Sequence, residues 1–178
     1  DRRPGDGGRL LPDAGPGQAP QPGGLMKLIE FECGGHRFAV PLACTRRAVM
    51  AAQPAPLPGA SSIVLGVLNV AGETVTVLDF ARRAGLGATV ITPSQQVLII
   101  DLGGLPAGLV VDRILGAAER ARPGAEETQG QPGAAAFVDA IVRLDDGLCL
   151  VLDPEKFLSE AEYGQLAEAL DAADHEHA

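Results

Sequence analysis

The sequence predicts an all-β protein made of two small five-stranded barrels with short helical turns, followed by a helix near the C-terminus. Three observations predict this fold class: segments in which apolar and polar residues alternate, tight turns between them, and a repetition of the whole pattern. Gly34-Gly35 lies 69 residues before Gly103-Gly104, and Leu78-Asp79 and Leu152-Asp153 end the two halves alike. Such a duplication favours two barrels over the alternative, a single ten-stranded β-sandwich.

The first half predicts five strands and a short helical turn. Ile29, Phe31 and Cys33 alternate with acidic residues before the Gly34-Gly35 turn, which predicts a half-buried strand and a hairpin. Three prolines between residues 53 and 59 predict a loop, because proline cannot donate to a strand ladder. We expect strands over 27–33, 36–42, 47–53, 63–70 and 73–79, and a helical turn over 80–84 that Asp79 caps.

The second half repeats this order of elements. We expect strands over 95–101, 106–112, 114–120, 137–143 and 147–152, a long exposed loop over 121–136, and a short helical turn that begins at Asp153-Pro154. Each half alone has about 60–70 residues, which is marginal for an independent core. The two halves are therefore expected to pack together as one body with two subdomains.

The two ends of the chain differ from this body. Residues 1–25 contain seven Gly and five Pro without hydrophobic periodicity, which predicts a disordered leader, either a linker from a longer chain or sequence upstream of the true start. Residues 26–160 are the predicted folded domain. Residues 161–178 are predicted to form an acidic helix and tail, because a capping box at Ser159 and Glu162 precedes apolar residues at helical spacing. These are Tyr163, Leu166, Leu170 and Ala173.

Composition and charge argue against several classes of protein. The formal net charge is −9, but residues 153–178 carry eight acidic residues and one Lys, so the body over 26–152 is nearly neutral. A nearly neutral body argues against nucleic-acid binding, which needs concentrated Lys and Arg. Apolar runs fall short of the ~20 residues of a membrane helix, which argues against direct membrane insertion. Cys33, Cys44 and Cys149 are odd in number and widely spaced, which predicts buried thiols in a cytoplasmic protein rather than disulfides or a zinc site.

No arrangement of residues predicts catalysis, a cofactor or a metal site. The sequence lacks glycine-rich phosphate loops and the common nucleophile motifs. Cys33 and His36 flank a hairpin turn without a third group to orient them, and His175-Glu176-His177 lies at a fraying terminus. The carboxylates at strand ends suit either an acid–base pair or, as we favour, capping of helical turns. These carboxylates are Asp79, Asp112 and Asp153.

Two arginine pairs are the basic doublets of the body, Arg46-Arg47 and Arg82-Arg83. A solvated face explains them without a function. The alternative is that they flank a surface for a protein partner, since the planar guanidinium pairs well with carboxylates. The sequence pattern leaves both interpretations open.

The order of the motifs resembles that of the CheW-like domain. The first half contains FAVPL over 38–42, PLP over 56–58, VLGVLNVAG over 64–72 and VTVLDF over 75–80. The second half contains VLII over 97–100 and GLVVD over 108–112. The resemblance covers about residues 27–160, and it depends on the order and spacing of the motifs together.

This resemblance implies two intertwined five-stranded SH3-like barrels and a scaffold without catalysis or cofactors. It implies two partners. One is the cytoplasmic tip of chemoreceptors, contacted near the groove between the barrels, and the other is the regulatory domain of a CheA-type histidine kinase, contacted by the first barrel and its N-x-R-G turn. The partner-binding positions in this sequence are Thr45, Arg46, Arg47, Val49, Asn69, Ala71 and Gly72.

Three positions depart from the family pattern. Ala71 stands where Arg is usual, Thr76 where Pro is usual, and Arg47 where many members carry an acid. The absent turn arginine removes a bidentate donor for a partner carboxylate. A divergent scaffold of a non-flagellar pathway, controlling pili or gene expression, is therefore an alternative to the chemotaxis adaptor. A small-ligand-binding β-barrel is a further alternative, which convergence of the three carboxylates in one cavity would favour.

Overall fold

The structure is a computed structural model that describes residues 24–123 and 137–176. It contains the ten predicted strands, whose ends differ from the prediction by at most three residues. They are β1 Leu25–Cys33, β2 His36–Pro41, β3 Thr45–Met50, β4 Val64–Val70, β5 Glu73–Leu78, β6 Gln96–Leu102, β7 Leu105–Val111, β8 Arg113–Ala121, β9 Val138–Leu144 and β10 Gly147–Leu152. Most of the predicted leader, most of the predicted loop over 121–136 and the side chains from His175 onward lie outside the described residues.

Strand β3 differs most from the prediction, which placed it over 47–53. Thr45 pairs with Ile100 and Arg47 pairs with Ile99, so Arg46 is the extra residue of a β-bulge. A bulge interrupts the alternation of side chains along a strand. The sequence pattern therefore missed the first two residues of β3.

The strands form two five-stranded sheets, and each sheet takes strands from both halves of the sequence. The central sheet has the order β3-β6-β7-β5-β4, and the terminal sheet has the order β8-β1-β2-β10-β9. The first half contributes β3, β4 and β5 to the central sheet and the hairpin β1–β2 to the terminal sheet. The second half contributes β8, β9 and β10 to the terminal sheet and the hairpin β6–β7 to the central sheet. The parallel pairing of β5 with β7 recurs as that of β10 with β2, so the duplication is retained strand by strand. This exchange confirms the intertwined arrangement that the family resemblance implies.

The main core lies between the two sheets and contains all five phenylalanines of the chain. Phe80 is fully buried at its centre, with its ring centroid 4.8 Å from that of Phe38 and 5.3 Å from that of Phe31. Phe157 stacks on Phe80 at 5.8 Å and contacts Phe137 at 5.4 Å. Phe31 and Phe38 lie on strands of the terminal sheet and Phe80 directly follows a strand of the central sheet, so the packing of these rings helps to hold the two sheets together.

Each sheet also has a smaller apolar cluster of its own. The central sheet packs Val75, Val77, Val97, Ile99 and Val110 together. The cluster of the terminal sheet contains Leu28, Ala39, Ala140, Val142, Cys149 and Val151. The terminal sheet also buries a carboxylate, that of Glu30, which is only 4% exposed. Its two oxygens accept hydrogen bonds from Nε and Nη2 of Arg120, at 2.9 and 3.1 Å.

Short helical turns follow the last strand of each half, as predicted. Helix α1, Phe80–Arg83, begins after Asp79, and the turn Pro154–Lys156 begins after Asp153. Each aspartate accepts a hydrogen bond from a backbone N–H of the turn that follows it. The predicted capping function of both residues is confirmed.

The C-terminal helix α2, Glu160–Glu176, begins at the predicted capping box. The Ser159 hydroxyl accepts a hydrogen bond from the Glu162 N–H at 3.1 Å, and a Glu162 carboxylate oxygen accepts one from the Ser159 N–H at 3.0 Å. Leu166 and Ala169 are buried, and the Tyr163 hydroxyl donates to the Leu102 carbonyl. Nowhere in residues 24–123 or 137–176 is a helix long and apolar enough to cross a bilayer.

Candidate functional site

The edge strand β3 presents two arginines to solvent. Arg46 and Arg47 are exposed, because the bulge at Arg46 interrupts the regular alternation. The neighbouring predicted residues face the protein instead. Val49 packs against the cluster of the central sheet, and the Thr45 hydroxyl donates to the Pro41 carbonyl at 3.1 Å.

The turn between β4 and β5 lies across from this edge. The Asn69 side-chain oxygen accepts a hydrogen bond from the Gly72 N–H at 3.0 Å, which closes the turn. Ala71 adopts a φ of 51°, the left-handed region, and Gly72 follows with a φ of 85°. Two positive φ angles in succession are typical of the tight turns that match the twist of a hairpin. Asn69 and Gly72 therefore shape the turn and leave Ala71 at its tip.

Replacing Ala71 with Gly is expected to raise the free energy of unfolding by about 1 kcal/mol. The left-handed conformation crowds the Cβ of alanine, and glycine adopts it without this cost. Urea unfolding followed by far-UV circular dichroism measures the change. Ala48→Gly, on the exposed part of β3, should lower the stability instead, and a loss of stability in Ala71→Gly would contradict the assigned turn.

A cavity of about 260 Å³ lies between β3 and the β4–β5 hairpin. We call it the central-sheet cavity. Its floor is formed by Val75 and Ile99, whose side chains are apolar and nearly fully buried. Its rim carries charged and small residues. The rim residues are Arg46, Arg47, Val70, Ala71 and Glu73.

The two rim arginines have different electrostatic environments. Nη1 of Arg46 lies 2.5 Å from Oε1 of Glu73, so this ion pair joins the β3 edge to the start of β5. Arg47 forms no ion pair or hydrogen bond with any side chain in the described ranges 24–123 and 137–174. Its charge is therefore available at the rim of an apolar cavity.

The structure brings together only part of the predicted site. Arg46, Arg47 and Ala71 line the cavity, whereas Thr45, Val49, Asn69 and Gly72 serve the local structure of β3 and the turn. Sequence reasoning missed Glu73 and the apolar floor. Glu73 follows the turn directly, and an acid so close to a predicted partner surface was the available signal. No sequence signal distinguished the floor residues, since every strand of the structure contains valine or isoleucine.

A family model for the CheW-like domain matches residues 27–162. The chain belongs to the CheW-like family. It is 30% identical over 91 residues to "Chemotaxis protein CheW" of Rhizobium meliloti, a match that spans 51% of this chain and 59% of that protein. It is 23% identical over 151 residues to "Chemotaxis protein CheW" of Treponema pallidum, spanning 80% of this chain and 87% of that protein. It is also 28% identical over 88 residues to "Protein PilI" of Pseudomonas aeruginosa, spanning 49% of each.

The fold of this CheW-like chain agrees with a solved structure. The crystal structure of the scaffolding protein TtCheW from Thermoanaerobacter tengcongensis superposes with a TM-score of 0.59 at 19% identity. The superposition covers 71% of this chain and 88% of that one. The predicted all-β fold with a C-terminal helix is thus confirmed. The chain spans less than two thirds of the Rhizobium meliloti relative, so the partners of whole CheW proteins are a proposal for this chain.

The three strand-end carboxylates of this CheW-like chain serve different local structures. Asp79 is buried and accepts hydrogen bonds from the Arg82 N–H at 3.1 Å and the Thr89 hydroxyl at 2.5 Å. Asp112 accepts from the Gly34 N–H at 2.8 Å and from the Gln95 side chain at 3.1 Å. Asp153 caps the turn Pro154–Lys156. With their oxygens engaged by these donors, the carboxylates give no support to an acid–base pair.

The thiols of this CheW-like chain are expected to react slowly while it is folded. Burial raises the pKa of Cys33 and of Cys44 to about 11, and burial with the nearby Glu30 charge raises the pKa of Cys149 to about 12. Because the thiolate is the reactive form, a disulfide reagent at neutral pH should label all three cysteines quickly only after unfolding in urea. Rapid labelling of Cys33 or Cys149 in the folded protein would contradict their burial.

The same shifts predict how stability depends on pH. The unfolded chain releases its thiol protons near pH 9, whereas the folded chain retains them to about pH 11 or 12. Above pH 9 the folded state therefore binds more protons than the unfolded state. As a result, the contribution of the thiols to the free energy of unfolding falls as the pH rises toward 11. Replacing Cys33 and Cys149 with Ala should reduce this dependence.

Proposed function

We propose that this CheW-like chain is a non-enzymatic adaptor that joins chemoreceptors to a CheA-type histidine kinase in the cytoplasm. Membership of the CheW-like family is the single observation that carries the proposal. The central-sheet cavity supports it, because an apolar floor beside Arg47, which has no side-chain partner among the residues that the structure describes, suits a protein contact better than a small-ligand site. The three cysteines are free thiols, which suits the reducing cytoplasm in which such a complex forms.

The kinase contact is proposed at the central-sheet cavity. The family resemblance assigns this contact to the first barrel and to the turn that contains Asn69 and Ala71. In the structure that turn and the edge strand β3 form the two sides of one cavity. A kinase surface could therefore contact both at once.

The receptor contact is proposed at a second surface, where the two sheets meet. A cavity of about 390 Å³ is lined there by Pro41, Ala43 and Cys44 before β3, by Gly103-Gly104 of the β6–β7 turn, and by three acidic residues. These acidic residues are Asp101, Asp153 and Glu155. None of these residues lines the central-sheet cavity, which supports the proposal that the two partners contact separate surfaces of one copy of the chain.

The mechanism of such an adaptor is mass action. Each contact at micromolar affinity contributes about 8 kcal/mol. Holding the two partners on one scaffold raises the effective concentration of each near the other and couples their conformational changes. The similarity to a protein named PilI favours retaining the alternative of a scaffold in a non-flagellar pathway, with partners of the same two classes.

The proposal is tested by titrating the chain with the purified regulatory domain of the CheA-type kinase from the same genome and with a soluble fragment of a receptor tip. We expect micromolar binding to each and a ternary complex in size-exclusion chromatography. The Arg143→Glu variant, which alters an exposed residue of the terminal sheet, should behave like the original chain. Binding of only one partner at a time would overturn the adaptor function.

A further inference from the structure

The duplicated sheets allow the central-sheet cavity to be compared with its counterpart in the same molecule. Ile99 lies four residues before the glycine turn of its hairpin, as Glu30 does in the other half. Ile99 pairs with Gly108, and Glu30 pairs with Ala39, so the two positions also match in register. The floor is therefore apolar in the central sheet and occupied by the Glu30–Arg120 ion pair in the terminal sheet.

The rims of the two sheets differ as well. The position equivalent to Arg47 in the terminal sheet is Gly116, since Arg47 pairs with Ile99 and Gly116 pairs with Glu30. Only the central sheet thus combines a buried aliphatic floor with a rim arginine. The duplication itself does not require this combination, because the equivalent part of the terminal sheet, where Arg120 and Arg143 line a cavity, has the Glu30–Arg120 ion pair in place of an aliphatic floor.

The central-sheet cavity is open at Ala71. A methyl group is the whole side chain at the tip of the turn, and the left-handed backbone holds it exposed. The cavity of about 260 Å³ has room for a side chain of the size of leucine, given that one water occupies roughly 30 Å³ in the liquid. Val75 and Ile99 close the bottom of the cavity and are only 1% and 2% exposed, so such a side chain would contact mainly the more exposed Val70 and Ala71.

The charges at the rim of the cavity indicate which kind of partner residue lies beside the entering side chain. Arg46 is already neutralised by Glu73, whereas Arg47 has no partner within residues 24–123 and 137–174. An unpaired guanidinium at the rim of an apolar contact favours a partner that brings a carboxylate and disfavours one that brings a cation. The planar guanidinium also suits a carboxylate in the bidentate geometry.

We infer that the partner surface at the central-sheet cavity consists of an aliphatic side chain that enters the cavity and an acidic residue beside it that pairs with Arg47. The inference rests on the proposed function, which takes the kinase regulatory domain as that partner. In this arrangement the positive charge that contacts the partner comes from β3 and not from the β4–β5 turn. Arg47 is then the residue that determines which partner surfaces this adaptor accepts.

The first test measures the affinity of the full chain for the kinase regulatory domain by calorimetry. Arg47→Glu is expected to weaken binding roughly tenfold, because it replaces attraction with repulsion at the rim. The loss of affinity should become smaller as the salt concentration rises from about 0.05 M to about 0.5 M, since salt screens both the attraction by Arg47 and the repulsion by the introduced glutamate. The matched control is Arg143→Glu, an equally exposed reversal on β9 of the terminal sheet, which should bind like the original chain.

The second test addresses the cavity itself. Ala71→Leu should occupy the opening and weaken binding roughly tenfold, whereas Ala117→Leu, at an exposed position on β8 of the terminal sheet, should bind like the original chain. Thermal unfolding of both variants checks that each is folded. A Lys replacement of the contacting kinase acid, found by scanning its exposed acids, should restore binding to Arg47→Glu.

The outcomes separate this inference from the proposed function. If the original chain binds and Arg47→Glu binds equally well, the ion pair is wrong while the adaptor function stands. If Ala71→Leu binds as tightly as Ala117→Leu and the original chain, the insertion of a side chain is wrong. If the original chain does not bind the kinase domain at all, the proposed function is overturned, and this inference with it.

Discussion

Replacing Gly66 with Ala is expected to lower the free energy of unfolding by about 4 kcal/mol. Gly66 has a φ of 145°, and a Cβ built there would lie 2.2 Å from the Ala55 carbonyl oxygen and 2.8 Å from its carbon. The contact cannot relax easily, because Ala55 exchanges two backbone hydrogen bonds with Val67, at 2.8 and 2.9 Å. Alanine must therefore separate the proline-rich loop from β4 or distort the strand.

Urea unfolding followed by circular dichroism measures this loss, since the chain has no Trp for fluorescence. Gly72→Ala is the matched control: its φ is also positive, at 85°, but no atom lies within 4 Å of the added Cβ. It should cost only about 1 kcal/mol, the cost of the left-handed conformation alone. Equal losses in the two variants would show that the contact with Ala55 has no effect.

Replacing Arg120 with Ala is expected to lower the free energy of unfolding by about 3–5 kcal/mol. The replacement leaves the Glu30 carboxylate without its two hydrogen bonds in a site that is 4% exposed. The Cys149 sulfur, 3.9 Å from Glu30, is too weak a donor to replace a guanidinium. The unpaired charge, rather than the lost attraction, causes most of the effect.

A double variant separates these two causes. Glu30→Ile with Arg120→Ala should recover most of the stability, because isoleucine occupies the equivalent position, Ile99, in the central sheet. Arg113→Ala is the control for an exposed pair: its guanidinium lies 3.1 Å from Glu32 with its side chain 65% exposed, and it should cost less than about 1 kcal/mol. A loss in Arg120→Ala no larger than in Arg113→Ala would contradict the burial of the pair.

These effects bear on the proposed adaptor through the position of the site. The central-sheet cavity is built from an edge strand and a hairpin, and both depend on buried contacts elsewhere in the sheet. Gly66 lies in the same strand as Asn69, so the contact with Ala55 also positions the β4–β5 turn. Binding measurements on Gly66 variants therefore need stability data beside them.

The sequence by itself determined the strands, the turns and the caps. Alternating apolar residues, continuous apolar runs and turn signals together located all ten strands, because a half-buried strand shows period-2 alternation and a strand buried on both faces shows an unbroken apolar run. Asp79 and Asp153 were identified as caps from their positions before short helical turns, and Ser159 from the capping box before α2, since capping is a local interaction. The order and spacing of the motifs along the chain also indicated the family, which the match over residues 27–162 confirms.

Only the tertiary structure decided which strands share a sheet and which residues share a site. The exchange of hairpins between the two halves depends on parallel pairs distant in sequence, β2 with β10 and β5 with β7. The buried Glu30–Arg120 pair spans 90 residues, and the Arg46–Glu73 pair spans 27. Such partners leave no local pattern, because a charged residue has the same appearance in sequence whether it is solvated or paired. The physical reason is that the periodicity of a sequence depends on which side chains of one strand are buried. A site depends instead on how several strands pack against one another.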